Sequence, residues 1–329
     1  VIGILLVGLL ALLNTGQTFG IDTQNLHVAK RNMILPFGLF ALSALLITVF
    51  LKVNKNLKKY LLALFILIVI FDLFRFSWKF NTFSKKEYLF PNTKIVGFIK
   101  KDKDLFRVAS ADSRIFAPNF LTHHRIATIE GYDPLYLLSY AQLLAANERG
   151  EPNINPPFGF NRIITPHNLD SKIIDLLNVK YVFSLTDLNI KKFTKVFVEG
   201  QTKVYKNREV LPRAFFVEEV KFAKDKQDAI NTMFEKDLGF KKTAIVEEKL
   251  PEEKFGLGTV RIVKYSENEV ILETVNTTQG FLVLTDSFYP TWHAKINDRE
   301  TKIYRTDFNF RGIYIPSGKN TIVFQNSLF

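Results

Sequence analysis

One apolar run constrains this chain more than any other feature of its sequence. It extends from Ile34 to Leu51 without a charged side chain, and a second run follows from Tyr60 to Phe71. A helix of eighteen residues rises about 27 Å, which is close to the hydrocarbon thickness of a bilayer. No comparable run follows Trp78. The pattern therefore predicts a membrane segment followed by a large water-soluble region.

We expect three membrane helices within residues 1–78, at about 1–13, 33–52 and 60–77. The chain starts with an apolar stretch and no methionine, so we interpret 1–13 as the inner part of a truncated helix. A mature N-terminus left by cleavage is the alternative. On the first interpretation the chain is a fragment of a longer multi-pass protein.

The charges of the two connections predict an orientation. The second connection carries four lysines within 52–59, whereas the first holds Lys30 and Arg31. Short loops rich in Lys and Arg remain cytoplasmic. The third helix then leads outward, and everything after Trp78 is expected to lie outside the cytoplasm.

Composition excludes several function classes. The formal charge is +12, but basic and acidic residues alternate in the soluble part, without an arginine-rich stripe or a nucleic-acid motif. We therefore expect no nucleic-acid partner. The absence of cysteine excludes disulfides, cysteine nucleophiles and thiolate metal sites. Of the five histidines only His123 and His124 are adjacent, and neighbours on an extended chain point to opposite sides, so no metal site is expected. No P-loop, dinucleotide fingerprint or nucleophile elbow is present, and we expect no cofactor.

Two regions follow the membrane segment. Residues 79–255 combine helical and strand patterns and predict a mixed α and β domain outside the cytoplasm. Residues 256–329 form short alternating runs separated by turn residues, which is typical of an antiparallel β-sandwich. The expected fold is thus a membrane α-helical segment, an extracytoplasmic α+β region and a C-terminal antiparallel sandwich.

Two stretches are candidate binding sites. In 119–140, His124, Arg125, Tyr132 and Asp133 combine aromatic and charged groups that suit contact with a sugar or phosphate. The alternative is a loop in which Asp133 caps a helix and Tyr132 packs into the core. In 284–300, Tyr289, Trp292 and His293 suit an aromatic platform for a sugar, and the alternative is that they fill the sandwich core. Trp292 fits the core because it alternates with apolar residues along a strand, and the role of His293 stays open.

The C-terminal stretch resembles the bacterial YfhO-like membrane protein family. The family pattern, D-x-x-Y-P-x-W followed by R-G, Pro and Gly, is carried here by Asp286, Tyr289, Pro290, Trp292, Arg311, Gly312, Pro316 and Gly318. Four upstream pieces are also similar, in the family's order: FRV at 106–108, EGYDPLYLLSY at 130–140, LLNVKYV at 176–182 and VYKNREVLPRAFFV at 204–217. The similarity spans about 72–326.

This resemblance implies a polytopic glycosyltransferase of the GT-C class in the bacterial plasma membrane. Such proteins take a sugar from a polyprenyl-phosphate carrier and modify surface glycopolymers such as teichoic acids. Their catalytic carboxylate lies in the first large external loop, so no catalytic residue is carried over to this chain. The external domain would bind acceptor glycan or support the membrane core. The alternative is a non-catalytic membrane-anchored scaffold or glycan-binding module.

Overall fold

A computed structural model describes residues 23–81, 83–133, 135–155, 163–164, 166–251 and 254–327. The chain divides into two compact units, Val1–Leu89 and Phe90–Phe329. The helix expected at 1–13 lies outside the described residues.

Two apolar helices, α1 (Thr23–Lys52) and α2 (Lys55–Phe80), dominate the first unit and pack against each other. The stretches Lys30–Lys52 and Lys55–Phe80 are long and apolar enough to cross a bilayer, and almost none of their residues is buried in protein. The prediction of apolar helices is confirmed, but they are longer than expected. Asn54 caps α2 by accepting a hydrogen bond from the Leu57 backbone, so most of the lysine-rich connection forms its first turns.

The first unit ends with a short 3₁₀ turn at Lys86–Tyr88. Among the described residues, the second unit contains five helices: α3 (Lys94–Lys101), α4 (Phe120–His123), α5 (Leu138–Arg149), α6 (Lys172–Leu176) and α7 (Lys226–Met233). Its first nine strands are β1 (Arg107–Ser110), β2 (Gly131–Tyr132), β3 (Ile163–Ile164), β4 (Val179–Ser184), β5 (Phe193–Glu199), β6 (Thr202–Asn207), β7 (Ala214–Val217), β8 (Glu219–Phe222) and β9 (Thr243–Val246). The remaining strands are β10 (Gly258–Tyr265), β11 (Glu269–Asn276), β12 (Gly280–Ser287), β13 (Trp292–Ile296), β14 (Arg299–Thr301), β15 (Tyr304–Thr306), β16 (Phe310–Ile315) and β17 (Gly318–Asn326).

These strands form three larger sheets and a two-stranded ribbon, β2–β3. The four-stranded sheet has the order β1-β4-β6-β5, with β1 and β4 parallel. The six-stranded sheet has the order β7-β12-β16-β15-β9-β8, with β8 and β9 parallel. The five-stranded sheet, β10-β11-β17-β13-β14, is antiparallel throughout.

The six-stranded sheet is covered on both faces. Against the five-stranded sheet, alternate side chains such as Leu282, Ile313, Leu272 and Phe324 form one buried cluster. From the other face, Phe281 and its neighbours pack into a larger cluster that also includes residues of α5, α6 and α7. A third cluster joins α3 to the four-stranded sheet. The C-terminal region is therefore largely β and forms a sandwich, as the alternating runs predicted.

The predicted boundary at 255/256 runs through the six-stranded sheet. Strands β7, β8 and β9 come from before it, and β12, β15 and β16 come from after it. β7 pairs directly with β12, so that Phe215 lies opposite Val283. Residues 90–329 consequently form one compact unit.

The helix expected to open at Asp133 begins later. α5 starts at Leu138, with Leu137 in the capping position. The Asp133 carboxylate instead accepts a hydrogen bond from the Leu135 backbone at 2.8 Å, which closes a local turn. This part of the alternative interpretation is wrong because the aspartate satisfies a turn rather than a helix end.

Candidate functional site

Asn119 brings the two halves of the loop 119–133 together. Its amide nitrogen donates to the Tyr132 carbonyl oxygen at 2.8 Å, and its amide oxygen accepts from the Tyr132 backbone N–H at 3.0 Å. Asn119 itself has a positive φ of 63°, which asparagine tolerates better than most residues. This reciprocal pair fixes the backbone of Tyr132 beside the start of α4.

His124 and Arg125 follow α4 but differ in exposure. His124 is buried and packs against Phe120, with ring centroids 5.1 Å apart. Burial lowers the pKa of His124, and the nearby charges of Lys100 and His123 lower it further. Arg125 is exposed and has a positive φ of 56°. Arg125 is therefore accessible to solvent, whereas His124 is part of the core.

Tyr132 and Asp133 are both exposed. Tyr132 therefore does not pack into the core, which was the alternative that the sequence left open. Of the predicted site residues, Arg125, Tyr132 and Asp133 are thus exposed, Arg125 shortly after α4 and the other two at the end of β2. His293 lies elsewhere, on β13 of the five-stranded sheet, where it is exposed beside a cavity of about 350 Å³ lined also by Phe288, Pro290 and Trp292.

A second constellation, which we call the arginine cluster, consists of Arg107, Arg213, Arg311, Asp286 and Tyr265. One oxygen of Asp286, Oδ1, accepts from Arg107 Nη2 at 2.9 Å, from the Tyr265 hydroxyl at 2.9 Å and from Arg213 Nη1 at 3.4 Å. The carboxylate sits in β12, and Arg107 and Arg213 reach it from β1 and from the segment before β7, while Arg311 lies on β16, which pairs with β12. The fold thus gathers one acid and three guanidinium groups from four distant parts of the chain.

Arg311 contributes through its position beside Trp292. Its guanidinium carbon lies 3.7 Å from the centroid of the indole ring, and its Nε donates to the Ser287 carbonyl oxygen at 3.0 Å. Cation–π contacts of this kind stabilise a partly desolvated arginine. Trp292 is only half-buried, but it packs against the sandwich core as expected.

Burial dominates the electrostatics of the arginine cluster. It lowers the pKa of Arg213 to about 10, with a further decrease from the like charge of Arg107, while Asp286 and Tyr265 oppose the change. Burial also lowers the pKa of Arg311 to about 10, again against the attraction of Asp286. Both arginines stay protonated at neutral pH, so the cluster carries more positive than negative charge.

The sequence contains a pattern that points to this cluster, although composition and residue spacing alone do not reveal it. Asp286, Trp292 and Arg311 are among the residues on which the expected resemblance rests, and Arg107 and Arg213 lie in two of the upstream pieces named with it. Each arginine also interrupts an otherwise apolar strand or strand approach, in FRVAS, LPRAFF and NFRGIY. A charged residue within such a run is a reason to look for a buried partner.

Within the described ranges, no group of three or more His, Asp or Glu side chains is arranged to hold a metal ion. No protein-family model, curated protein or solved structure matches this chain. Chemically, the two sites offer exposed aromatic and cationic contacts in the loop, and buried guanidinium donors in the cluster. Guanidinium groups are suited to holding oxyanions rather than to transferring protons.

Proposed function

We propose that this chain is the C-terminal part of a polytopic membrane glycosyltransferase of the YfhO-like kind. The whole protein would transfer a sugar from a polyprenyl-phosphate carrier to a cell-surface glycopolymer at the bacterial plasma membrane. The unit Phe90–Phe329 would lie outside the cytoplasm and bind the acceptor or support the catalytic membrane core.

The observation that carries this proposal is the convergence of the similar segments on the arginine cluster. The pieces around Arg107 and Arg213 are separated from Asp286 by 179 and 73 residues, yet both arginines bond its carboxylate. Motif residues that meet at one buried network support a common fold more strongly than any single motif does. Two apolar helices ahead of this unit agree with a membrane-bound parent.

The stretch 119–133 is suited to contact glycan, because it exposes both a cation, Arg125, and an aromatic ring, Tyr132. We expect Arg125→Ala combined with Tyr132→Ala in the full-length parent to lower glycan transfer about tenfold. A charge-assisted contact contributes roughly 1.5 kcal/mol or more, and each 1.4 kcal/mol is about a factor of ten. Transfer is measured with membranes containing equal amounts of each protein.

Arg261→Ala with Phe222→Ala is the matched control, since both side chains are exposed on strands away from the loop. The control should leave transfer within about twofold of the unaltered protein, a change worth less than ~0.5 kcal/mol. Equal transfer by the loop variant and the unaltered protein would show that the loop does not contact the substrate.

A membrane-anchored scaffold or glycan-binding module is the second candidate. It rests on the exposed Arg125 and Tyr132, which are able to contact glycan whether or not the parent transfers sugar. Purified full-length parent in liposomes distinguishes the two: transfer from a polyprenyl-phosphate sugar supports the enzyme. Retained acceptor binding without any transfer supports the module.

A further inference from the structure

The second unit begins at Phe90, which a short connection tethers to α2. Residues 81–89 alone separate Phe90 from Phe80, the last residue of α2. Ten steps of fully extended chain reach about 35 Å at most. Phe83 and Tyr88 within this connection are more than half exposed, and exposed aromatic side chains favour the interface between membrane and water. A bilayer that holds α2 is therefore within reach of the surface on which Phe90 lies.

Phe90 packs on α4, beside the loop that follows β2. The Phe90 ring stacks on His123 with ring centroids 4.0 Å apart, and its centroid lies 5.8 Å from that of the Phe120 ring. The preceding residue, Asn119, holds the Tyr132 backbone through its reciprocal hydrogen bonds. The start of the second unit and the stretch that follows Tyr132 therefore meet at α4.

The stretch after Tyr132 exposes two leucines. Leu135 is 87% exposed, and Leu138, the first residue of α5, is 59% exposed. Because they are three residues apart, their Cα atoms lie within about 11 Å of each other. Two exposed leucines at one place, next to the exposed ring of Tyr132, are unfavourable in water and indicate contact with an apolar phase or partner.

The lysines of α3 add positive charge to the same surface. Helices α3 and α4 pack in one cluster against the four-stranded sheet, and the charge of Lys100 acts on the His124 imidazole just after α4. Exposed cations of these elements that make no ion pair within the described part of the chain are Lys94, Lys100, Lys101 and Arg125. Cations beside exposed leucines suit a surface that carries both negative charge and apolar groups.

Nearby carboxylates do not cancel this charge. Acids that lie on or beside the same elements are Asp102, Asp104, Asp133 and Glu199. Lys180 pairs with the first two, and Glu199 accepts hydrogen bonds from the first backbone N–H groups of α3. With Lys103 on the same side, the exposed cations outnumber the carboxylates that Lys180 does not neutralise.

We propose that this surface, which we call the entry face, docks on a bilayer that contains anionic lipid. The entry face consists of Phe90, Lys100, Lys101, Arg125, Leu135 and Leu138. Its apolar side chains enter the boundary between headgroups and acyl chains, and its cations contact lipid phosphates. Lipid is favoured over a protein partner because the face is tethered to an apolar helix and is rich in lysine, which protein interfaces disfavour. This inference rests on the part of the proposed function in which α1 and α2 span a membrane, and not on sugar transfer.

The test is quenching of a fluorophore by nitroxide-labelled lipid, with the full chain in nanodiscs of phosphatidylcholine and phosphatidylglycerol. Because the chain contains no cysteine, Leu135→Cys, Leu67→Cys and Val275→Cys each carry the fluorophore at one position. We expect strong quenching at 135 on the entry face and at 67 in α2. Quenching at 275 should be weak, since this exposed valine lies on the five-stranded sheet, across the six-stranded sheet from α5.

The three labels separate the failure of this inference from that of the proposed function. Quenching at 67 without quenching at 135 would overturn the docking and leave the membrane helices in place. No quenching at 67 would contradict the membrane placement itself, and the docking with it. Equal quenching at 135 and 275 would overturn the assignment to the entry face. A label at 135 that is shielded from aqueous iodide but not quenched by lipid would assign the face to a protein contact, such as a second copy, and would also overturn the proposal.

A matched pair of double variants tests the anionic lipid. Lys100→Gln with Lys101→Gln should lower the ratio of docked to undocked chains about tenfold, because lysines near an anionic surface each strengthen binding severalfold. The ratio is measured by quenching at 135, at the NaCl concentration that halves the quenching of the chain with both lysines. Lys241→Gln with Lys242→Gln removes the same charge from an adjacent exposed pair before β9 and should change the ratio less than about twofold. Equal effects of the two variants, or unchanged quenching at 135 in phosphatidylcholine alone, would overturn the assignment of anionic lipid.

Discussion

At the residue scale, two glycines of this chain differ in the space available for a side chain. A Cβ on Gly312 in β16 would overlap Thr306 Oγ1 and lie 2.6 Å from two carbons of the Phe281 ring. A Cβ on Gly97 in α3 would meet no atom within 4 Å. Gly312 therefore follows Arg311 for a packing reason: only a residue without a side chain lets the neighbouring strand and ring approach.

We expect Gly312→Ala to lower the free energy of unfolding by about 1–3 kcal/mol, as overpacking in a filled core does. Gly97→Ala should raise it by about 0.5–1 kcal/mol, because alanine favours a helix interior over glycine. Thermal unfolding of the full chain in detergent measures both. Equal stability of the two variants would mean that the β16 backbone shifts to make room.

At the element scale, the parallel pair β8–β9 joins the rest of its sheet through a short contact at β15. Thr306 lies opposite Val246, and the next residue, Asp307, bonds Ile245 twice. The Asp307 backbone N–H donates to the Ile245 carbonyl oxygen at 2.8 Å, while its Oδ1 accepts from the Ile245 N–H at 2.8 Å. Asp307 is fully buried, and its Oδ2 has no partner within the described part of the chain. Burial raises the pKa of Asp307 to about 7 from an ordinary value of 3.8.

This carboxyl makes stability dependent on pH. Asp307 binds its proton more tightly in the folded state than in the unfolded state. The contribution of this carboxyl to the free energy of unfolding is therefore complete below pH 3.8 and is lost as pH rises towards 7. We expect Asp307→Asn, which keeps the Oδ1 acceptor, to stabilise the chain by about 1–3 kcal/mol at pH 8 and to have little effect at pH 4. Denaturant unfolding at both values checks this. Burial also raises the pKa of Glu130 to about 7, so the Asp307→Asn variant keeps part of the pH dependence of the free energy of unfolding. A pH-independent effect of the substitution would show that folding does not raise the pKa of Asp307.

Elements with a regular pattern were predictable from the sequence, and contacts across elements were not. Alternating side chains in 259–276 predicted β10 and β11. The prediction that Asp133 caps a helix was wrong because an aspartate suits a turn and a helix cap equally well. The partners of Asp286 were not predictable locally, since its bond to Arg107 spans 179 residues. The exposure of Arg125 and Tyr132 fits the predicted loop site, whereas the burial of His124 depends on packing that spacing does not encode.

At the scale of the whole molecule, the two units differ in how far their apolar side chains are exposed. Leu67, Leu73 and Phe76 of α2 are more than half exposed, whereas the core residues Phe281 and Phe324 of the second unit are wholly buried. Contiguous exposed apolar surface of this extent is unfavourable in water and favourable in a hydrocarbon layer. The first unit therefore suits a bilayer, and the second suits an aqueous phase.

Which aqueous phase the second unit occupies is a prediction from the lysines around 52–59. Because the chain contains no cysteine, single cysteines report on it without background. We expect Glu267→Cys, in an exposed turn of the second unit, to react with a membrane-impermeant maleimide on intact cells. Asn56→Cys, at the start of α2, should react only after the membrane is opened, since short lysine-rich connections remain inside. The reverse pattern, with Asn56→Cys labelled on intact cells and Glu267→Cys protected, would place Phe90–Phe329 in the cytoplasm and rule out a role in binding surface glycan.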